Sequence, residues 1–162
     1  MPSRKALALL IVLGLPGFAE ARDMQGRMGL GYNAQFANSR TTNAVPGVSL
    51  KYGMTRDIAA ALVVGTNTSS PSNSVAALKL FKNLFYETNL NFYFIVAGGI
   101  VSGGGNSGAE FLGGFGAEFF IPGIESLGFS METGASLNSL SGGFALQTMG
   151  VSFLNAGMHF YF

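Results

Sequence analysis

The 162-residue chain contains no cysteine, no tryptophan and one histidine. Without cysteine there can be no disulfide framework and no thiolate-ligated metal site. Charge is also scarce, at 10% of residues, against about 25% in an ordinary soluble domain. That is too little to coat a soluble surface. The net charge of +1 excludes a basic nucleic-acid footprint, and 48% apolar residues exclude a disordered acidic or basic chain. Long apolar runs are missing too. A spanning helix needs about 20 apolar residues. The best internal stretch, Phe92 to Val101, has ten residues and includes Gly98 and Gly99. The high apolar content must be placed in some other way.

What is abundant is glycine, at 24 residues, and phenylalanine, at 15. The chain opens on an address. Arg4 and Lys5 are followed by the apolar run Ala6 to Leu15, then Pro16 and Gly17, then Ala19-Glu20-Ala21. Positive start, short apolar core and small-residue cleavage site together read as a secretory signal peptide over 1–21. The mature chain is expected over 22–162, exported and without disulfides.

The rest alternates with a period of two, the signature of strands. In 27–36, Met28, Leu30, Tyr32, Ala34 and Phe36 oppose Arg27, Gly29, Gly31, Asn33 and Gln35. In 47–54, Val48, Leu50, Tyr52 and Met54 oppose Gly47, Ser49, Lys51 and Gly53. Strands over 58–67 and 75–82 are less cleanly two-faced. The alternation is clear again in 89–101, 109–120 and 127–137, and a last strand is expected over 149–162. These eight segments have roughly the length of tilted membrane strands. The connections 37–45, 67–74, 102–108 and 138–148 are rich in Ser, Asn, Thr and Gly; those near 55–57, 83–88 and 121–126 carry charges and aromatics. Two chemically different ends suit an up-and-down barrel across a membrane.

A soluble barrel would bury the apolar set, and a membrane barrel would turn it outward. The polar set is mostly glycine and small residues, suited to a narrow lumen. Among charged residues, only Lys82 falls on an apolar face, at a strand end where it can snorkel. The expected fold is therefore all-β: an eight-stranded antiparallel up-and-down transmembrane β-barrel. Phe92, Phe119, Phe129, Phe160 and Phe162 would ring one interface, and Phe36, Phe111 and Phe144 the other.

Residues 155–162 read NAGMHFYF. Asn155, Gly157, Phe160 and the terminal Phe162 resemble the C-terminal sorting signal of Gram-negative outer-membrane proteins. Over 26–162 the chain resembles the small eight-stranded barrels of the OmpA-transmembrane and OmpX type. The resemblance implies the bacterial outer membrane with both termini periplasmic. It implies periplasmic chaperones and the barrel-assembly machinery as biogenesis partners, and outer-membrane lipid as surroundings. The chain is expected to depart from the family in its short outer loops and in lacking a periplasmic domain after the barrel.

Arg27, Lys51, Lys79, Glu110, Glu118, Glu132 and His159 are expected inside the lumen. Arg27, Glu118 and His159 would lie toward the terminal end, Lys51, Lys79 and Glu132 at mid-depth, and Glu110 near the opposite rim. An eight-stranded barrel is just wide enough for side chains to fill, so these charges are expected to satisfy one another in a polar plug. A gated conduit with switching Lys–Glu pairs is the alternative. Outer-membrane lipid A deacylases use a His with a Ser and a Glu, yet Phe160, Tyr161 and Phe162 follow His159, and no nucleophile constellation is visible. Ser102-Gly103-Gly104-Gly105 opens no helix and is no phosphate loop. No catalytic residue, metal or cofactor is expected. A structural barrel is the leading expectation, followed by a transport barrel, a lipid-acting enzyme and a soluble ligand-binding barrel.

Overall fold

The computed structural model describes residues 23–33, 47–70, 72–139, 143–149 and 154–162. The signal segment 1–21 and Phe36 lie outside the described residues. Nine strand segments follow in order: β1 (Met28–Asn33), β2 (Gly47–Gly53), β3 (Ile58–Asn67), β4 (Asn73–Glu87), β5 (Leu90–Gly103), β6 (Asn106–Ile121), β7 (Ile124–Asn138), β8 (Ala145–Thr148) and β9 (Asn155–Tyr161). Each pairs antiparallel with its sequence neighbour from β1 to β8. β9 pairs with both β7 and β1 and closes the sheet. The fold is a closed all-antiparallel barrel with eight strand positions, the eighth shared by β8 and β9.

That split corrects the last expected strand. The segment 138–148 was expected to be a loop, and 149–162 one strand. Instead β9 pairs with β7 only over Leu127–Glu132, and Ala145–Thr148 takes the ladder groups of Ala135–Asn138. The short alternation of β8 is hidden in sequence behind the Ser/Gly-rich run that precedes it. The β4–β5 hairpin is also longer than its pattern suggests, turning at Thr88 and Asn89. A register shift between Asn83 and Phe85 puts both Leu84 and Phe85 on the exposed face. Such a bulge breaks the period of two, which is why 83–88 read as a connection. The β5–β6 turn is two residues, Gly104 and Gly105, with φ of 61° and 85°. Both central residues of this hairpin therefore need the left-handed region, which glycine enters without strain.

The pairing fixes the barrel's geometry. One circuit along paired residues runs Leu127, Phe160, Leu30, Leu50, Leu62, Leu78, Gly98, Phe111, Leu137. It returns to β7 ten residues beyond its start. With a rise of about 3.3 Å per residue and about 4.8 Å between strands, that offset gives a tilt of roughly 40°. The circuit then climbs about 25 Å along the axis, the height of a membrane barrel's apolar band.

The apolar set faces outward as expected. Leu30, Val48, Leu50, Leu62, Leu78, Phe115, Met131 and Phe160 are exposed, while their strand neighbours Ser49, Lys51, Ala61, Lys79, Glu118 and Glu132 are buried inside. No helix among the described residues is long and apolar enough to cross a membrane. The interior is less polar than the sequence suggests. Ala59, Ala61, Val63, Val75, Ala77, Ile95, Ala97, Val101, Leu112 and Met149 form an apolar cluster in the lumen. β3, β4 and β5 supply most of it, which explains why β3 read as apolar on both faces.

Candidate functional site

Inside the barrel, two carboxylates carry the same two contacts. Glu118 on β6 accepts from Lys51 Nζ at 2.8 Å on one oxygen and from the Tyr161 hydroxyl at 2.5 Å on the other. Glu132 on β7 accepts from Lys79 Nζ at 2.8 Å and from the Tyr93 hydroxyl at 2.9 Å. The ion-paired side chains are 1–6% exposed. A buried carboxylate with an ammonium on one oxygen and a phenol on the other has most of its lost hydration replaced. Lys51 also lies 4.5 Å from the Phe81 ring centroid and 5.4 Å from that of Tyr93, within cation–π range.

His159 is drawn toward the Glu118 member of this network. Its Nε2 is 2.8 Å from Ser49 Oγ, and its Nδ1 is 3.9 Å from Glu118 Oε1. Ser49 and His159 sit on β2 and β9, which are separated by β1. They meet because β1 presents glycine to the lumen between them. A Cβ at Gly31 would lie 2.6 Å from the His159 ring and one at Gly29 2.6 Å from the Tyr161 ring. With those positions bare, the side chains of the flanking strands lean across β1 and touch.

Of the residues expected in the lumen, Lys51, Lys79, Glu118, Glu132 and His159 are brought together. Arg27 stands at the mouth on the terminal side, partly exposed, with Nη2 3.5 Å from the Tyr161 carbonyl and its guanidinium 5.7 Å from that ring. Glu110 is fully buried but lies eight residues before Glu118 on β6, opposite Asn138 and toward the other end. In the terminal strand, Asn155 faces the lumen and Phe160 and Phe162 face out. A Cβ on Gly157 would meet Ser130 Oγ at 2.7 Å.

Sequence reasoning missed three members of the network: Tyr93, Tyr161 and Ser49. All three fall on the polar face of their strands, which was the available signal. Tyrosine reads as an interface residue in a membrane barrel, and nothing along the chain ties Ser49 to His159, 110 residues away. The Ser–His–Glu set has the residue types of a hydrolytic triad, but Ser49 is 1% exposed and Glu118 is already engaged by Lys51 and Tyr161. Among the described residues there is no cluster of three or more His, Asp or Glu that could hold a metal ion.

No family profile matches the chain, and no curated protein matches it. Among solved structures, the N-terminal β-barrel domain of Pseudomonas aeruginosa OprF is similar in fold, with a TM-score of 0.56 and 17% sequence identity. The match covers 84% of this chain and 96% of that domain.

Proposed function

We propose that the protein is a non-catalytic barrel of the bacterial outer membrane, with both termini periplasmic and a lumen closed by its own side chains, serving envelope integrity or surface interaction. Residues 1–21 are its cleaved signal peptide. Periplasmic chaperones and the barrel-assembly machinery deliver it, the latter reading Asn155, Gly157, Phe160 and Phe162. The similarity of fold to the OprF barrel domain and the outward apolar band support the membrane placement.

The observation that carries the closed lumen is the pairing inside it. Lys51 with Glu118 and Lys79 with Glu132 are matched at 2.8 Å, and the apolar cluster around Val63, Val75, Ile95, Val101 and Leu112 shares the same interior. A conduit needs a continuous water path, and these apolar side chains offer water no partners. The same burial argues against catalysis at Ser49, since a substrate carbonyl would have to enter a filled barrel.

The test is conductance of the refolded mature chain in a planar bilayer, with folding checked by a heat-sensitive shift in gel mobility. A silent bilayer holding folded barrel is the expected result. Discrete steps altered by Lys79→Ala or Glu132→Ala would replace this reading with a gated conduit.

A further inference from the structure

The apolar circuit around the outside has one interruption. Every position from Leu127 round to Leu137 carries a large apolar side chain except Gly98, which lies between Leu78 and Phe111. The Phe111 ring leans over it, so that a Cβ on Gly98 would sit 3.1 Å from a ring carbon. What remains is a groove of about 350 Å³ lined by Leu78, Leu80, Val96, Gly98 and Phe111.

Further along the same strands, away from the termini, the outward face becomes polar and stays neutral. β4 passes from Leu78 through Ala76 to Ser74, and β5 from Gly98 through Ile100 to Ser102, which is paired with Ser74. Here a second pocket, of about 230 Å³, is lined by Thr66, Ser74 and Ser102 of the outward face, by Thr68 and Ser72 between the strands, and at the rim by Asn67 and Asn73, which have the lumen parity of β3 and β4. Every one of these side chains is a hydroxyl or a carboxamide. Among the described residues, the charges outside the lumen, Asp23, Arg27, Arg56, Asp57, Lys82, Glu87 and Glu125, all belong to the terminal end.

We propose that groove and pocket form one site for an amphiphile with a neutral, polyhydroxyl headgroup: a glycosyl lipid whose acyl chain lies along Gly98 and whose sugar sits among Thr66, Ser74 and Ser102. The order of polarity along β4 and β5 is that of such a molecule. Hydroxyl and carboxamide side chains both donate and accept, which matches sugar hydroxyls. Among the described residues there, none is a cation that could repay the hydration a phosphate headgroup would lose. The site rests on the membrane placement of the outer face and not on the closed lumen, so its failure leaves the lumen reading intact.

The experiment is native mass spectrometry of the mature barrel released from nanodiscs. The discs hold equal amounts of monoglucosyl diacylglycerol, phosphatidylcholine and phosphatidylglycerol with identical acyl chains. A symmetric disc offers each lipid to both leaflets, so the result does not depend on orientation. The wild type should retain the glucosyl lipid with a preference of roughly ten-fold, the scale of one or two good hydrogen bonds. Gly98→Leu, which fills the groove, should abolish that preference. Ala156→Leu on the outer face of β9 should keep it. Should Gly98→Leu fail the gel-shift test of folding, Ser74→Lys with Ser102→Lys takes its place and must move the preference to phosphatidylglycerol. Equal retention of the three lipids by the wild type would overturn the proposal, as would a preference indifferent to these substitutions. Wild-type dimers that Gly98→Leu dissociates would give the groove to a second copy instead.

Discussion

Lys79 and Lys82 stand three residues apart on β4, and each holds a carboxylate. The Lys79–Glu132 pair measures 2.8 Å and the Lys82–Asp57 pair 3.0 Å. Their surroundings differ entirely: side chains 1% and 2% exposed in the first, 52% and 49% in the second. Before the bulge at Asn83, odd positions of β4 turn into the lumen and even ones turn out, so one step of strand parity decides which environment a lysine meets. Contact length therefore says little about what an ion pair contributes. The buried pair must replace a lost hydration shell, while the exposed pair keeps most of its own.

The largest expected effect is at the buried pair. Glu132→Ala leaves Lys79 charged and enclosed, and should lower the unfolding free energy by about 3–5 kcal/mol, read from urea unfolding of the barrel in micelles. The double variant Lys79→Met with Glu132→Leu should recover most of that loss, because the cost lies in stranding one charge. A double variant as weak as the single one would show instead that the attraction itself stabilises the barrel. Glu118→Gln should cost about 1 kcal/mol less than Glu132→Ala, since the carboxamide oxygen still accepts a hydrogen bond and Lys51 keeps both Phe81 and Tyr93, where Lys79 keeps Phe81.

Smaller effects follow outward from the core. Ser49→Ala removes one buried hydrogen bond to His159 and should cost about 1 kcal/mol in the same assay. Lys82→Ala should change stability by less than about 1 kcal/mol and should lose even that in high salt. If Lys82→Ala proved as damaging as Glu132→Ala, exposure would not be the deciding difference. The smallest effect is in the titration of Asp57. The Tyr86 hydroxyl, 2.5 Å from Oδ1, and then Lys82 hold its carboxyl below the ordinary value. A depressed value in the folded state means that Asp57 favours folding above its unfolded pKa. That contribution fades as the pH falls through the folded value. Tyr86→Phe should move the Asp57 carbon resonance titration upward, and an unmoved curve would remove the hydroxyl from the account.

The two ends of the barrel make the same kind of contrast on a larger scale. Among the described residues, the terminal end carries the outward charges, and the end beyond Ser74 and Ser102 carries neutral hydroxyls and amides. This difference was visible in the connections as 55–57 and 121–126 against 67–74 and 102–108. The groove at Gly98 was not. Along β5, Gly98 is simply one of two successive glycines, and its meaning depends on Leu78 and Phe111 arriving on either side.

Alternation is a property of neighbours on one strand, and so it is written in the residue order. The side of the sheet taken by Leu30, Leu50, Leu62, Lys51, Lys79, Glu118 and Glu132 follows from parity and from the scarcity of charge. Which lysine meets which glutamate is not a local property. It depends on the ten-residue offset accumulated around the circuit from Leu127 to Leu137. It depends as well on bare glycines on β1 that let Ser49 and His159 touch across a strand, and on Tyr93 and Tyr161 reaching the free oxygens of two carboxylates. A bulge at Asn83 and a last strand divided into β8 and β9 also break periodicity for the sake of ladder partners on other strands. The faces came from the period of two; the partners came from closure, because closing a tilted sheet sets the heights at which side chains from distant strands face one another.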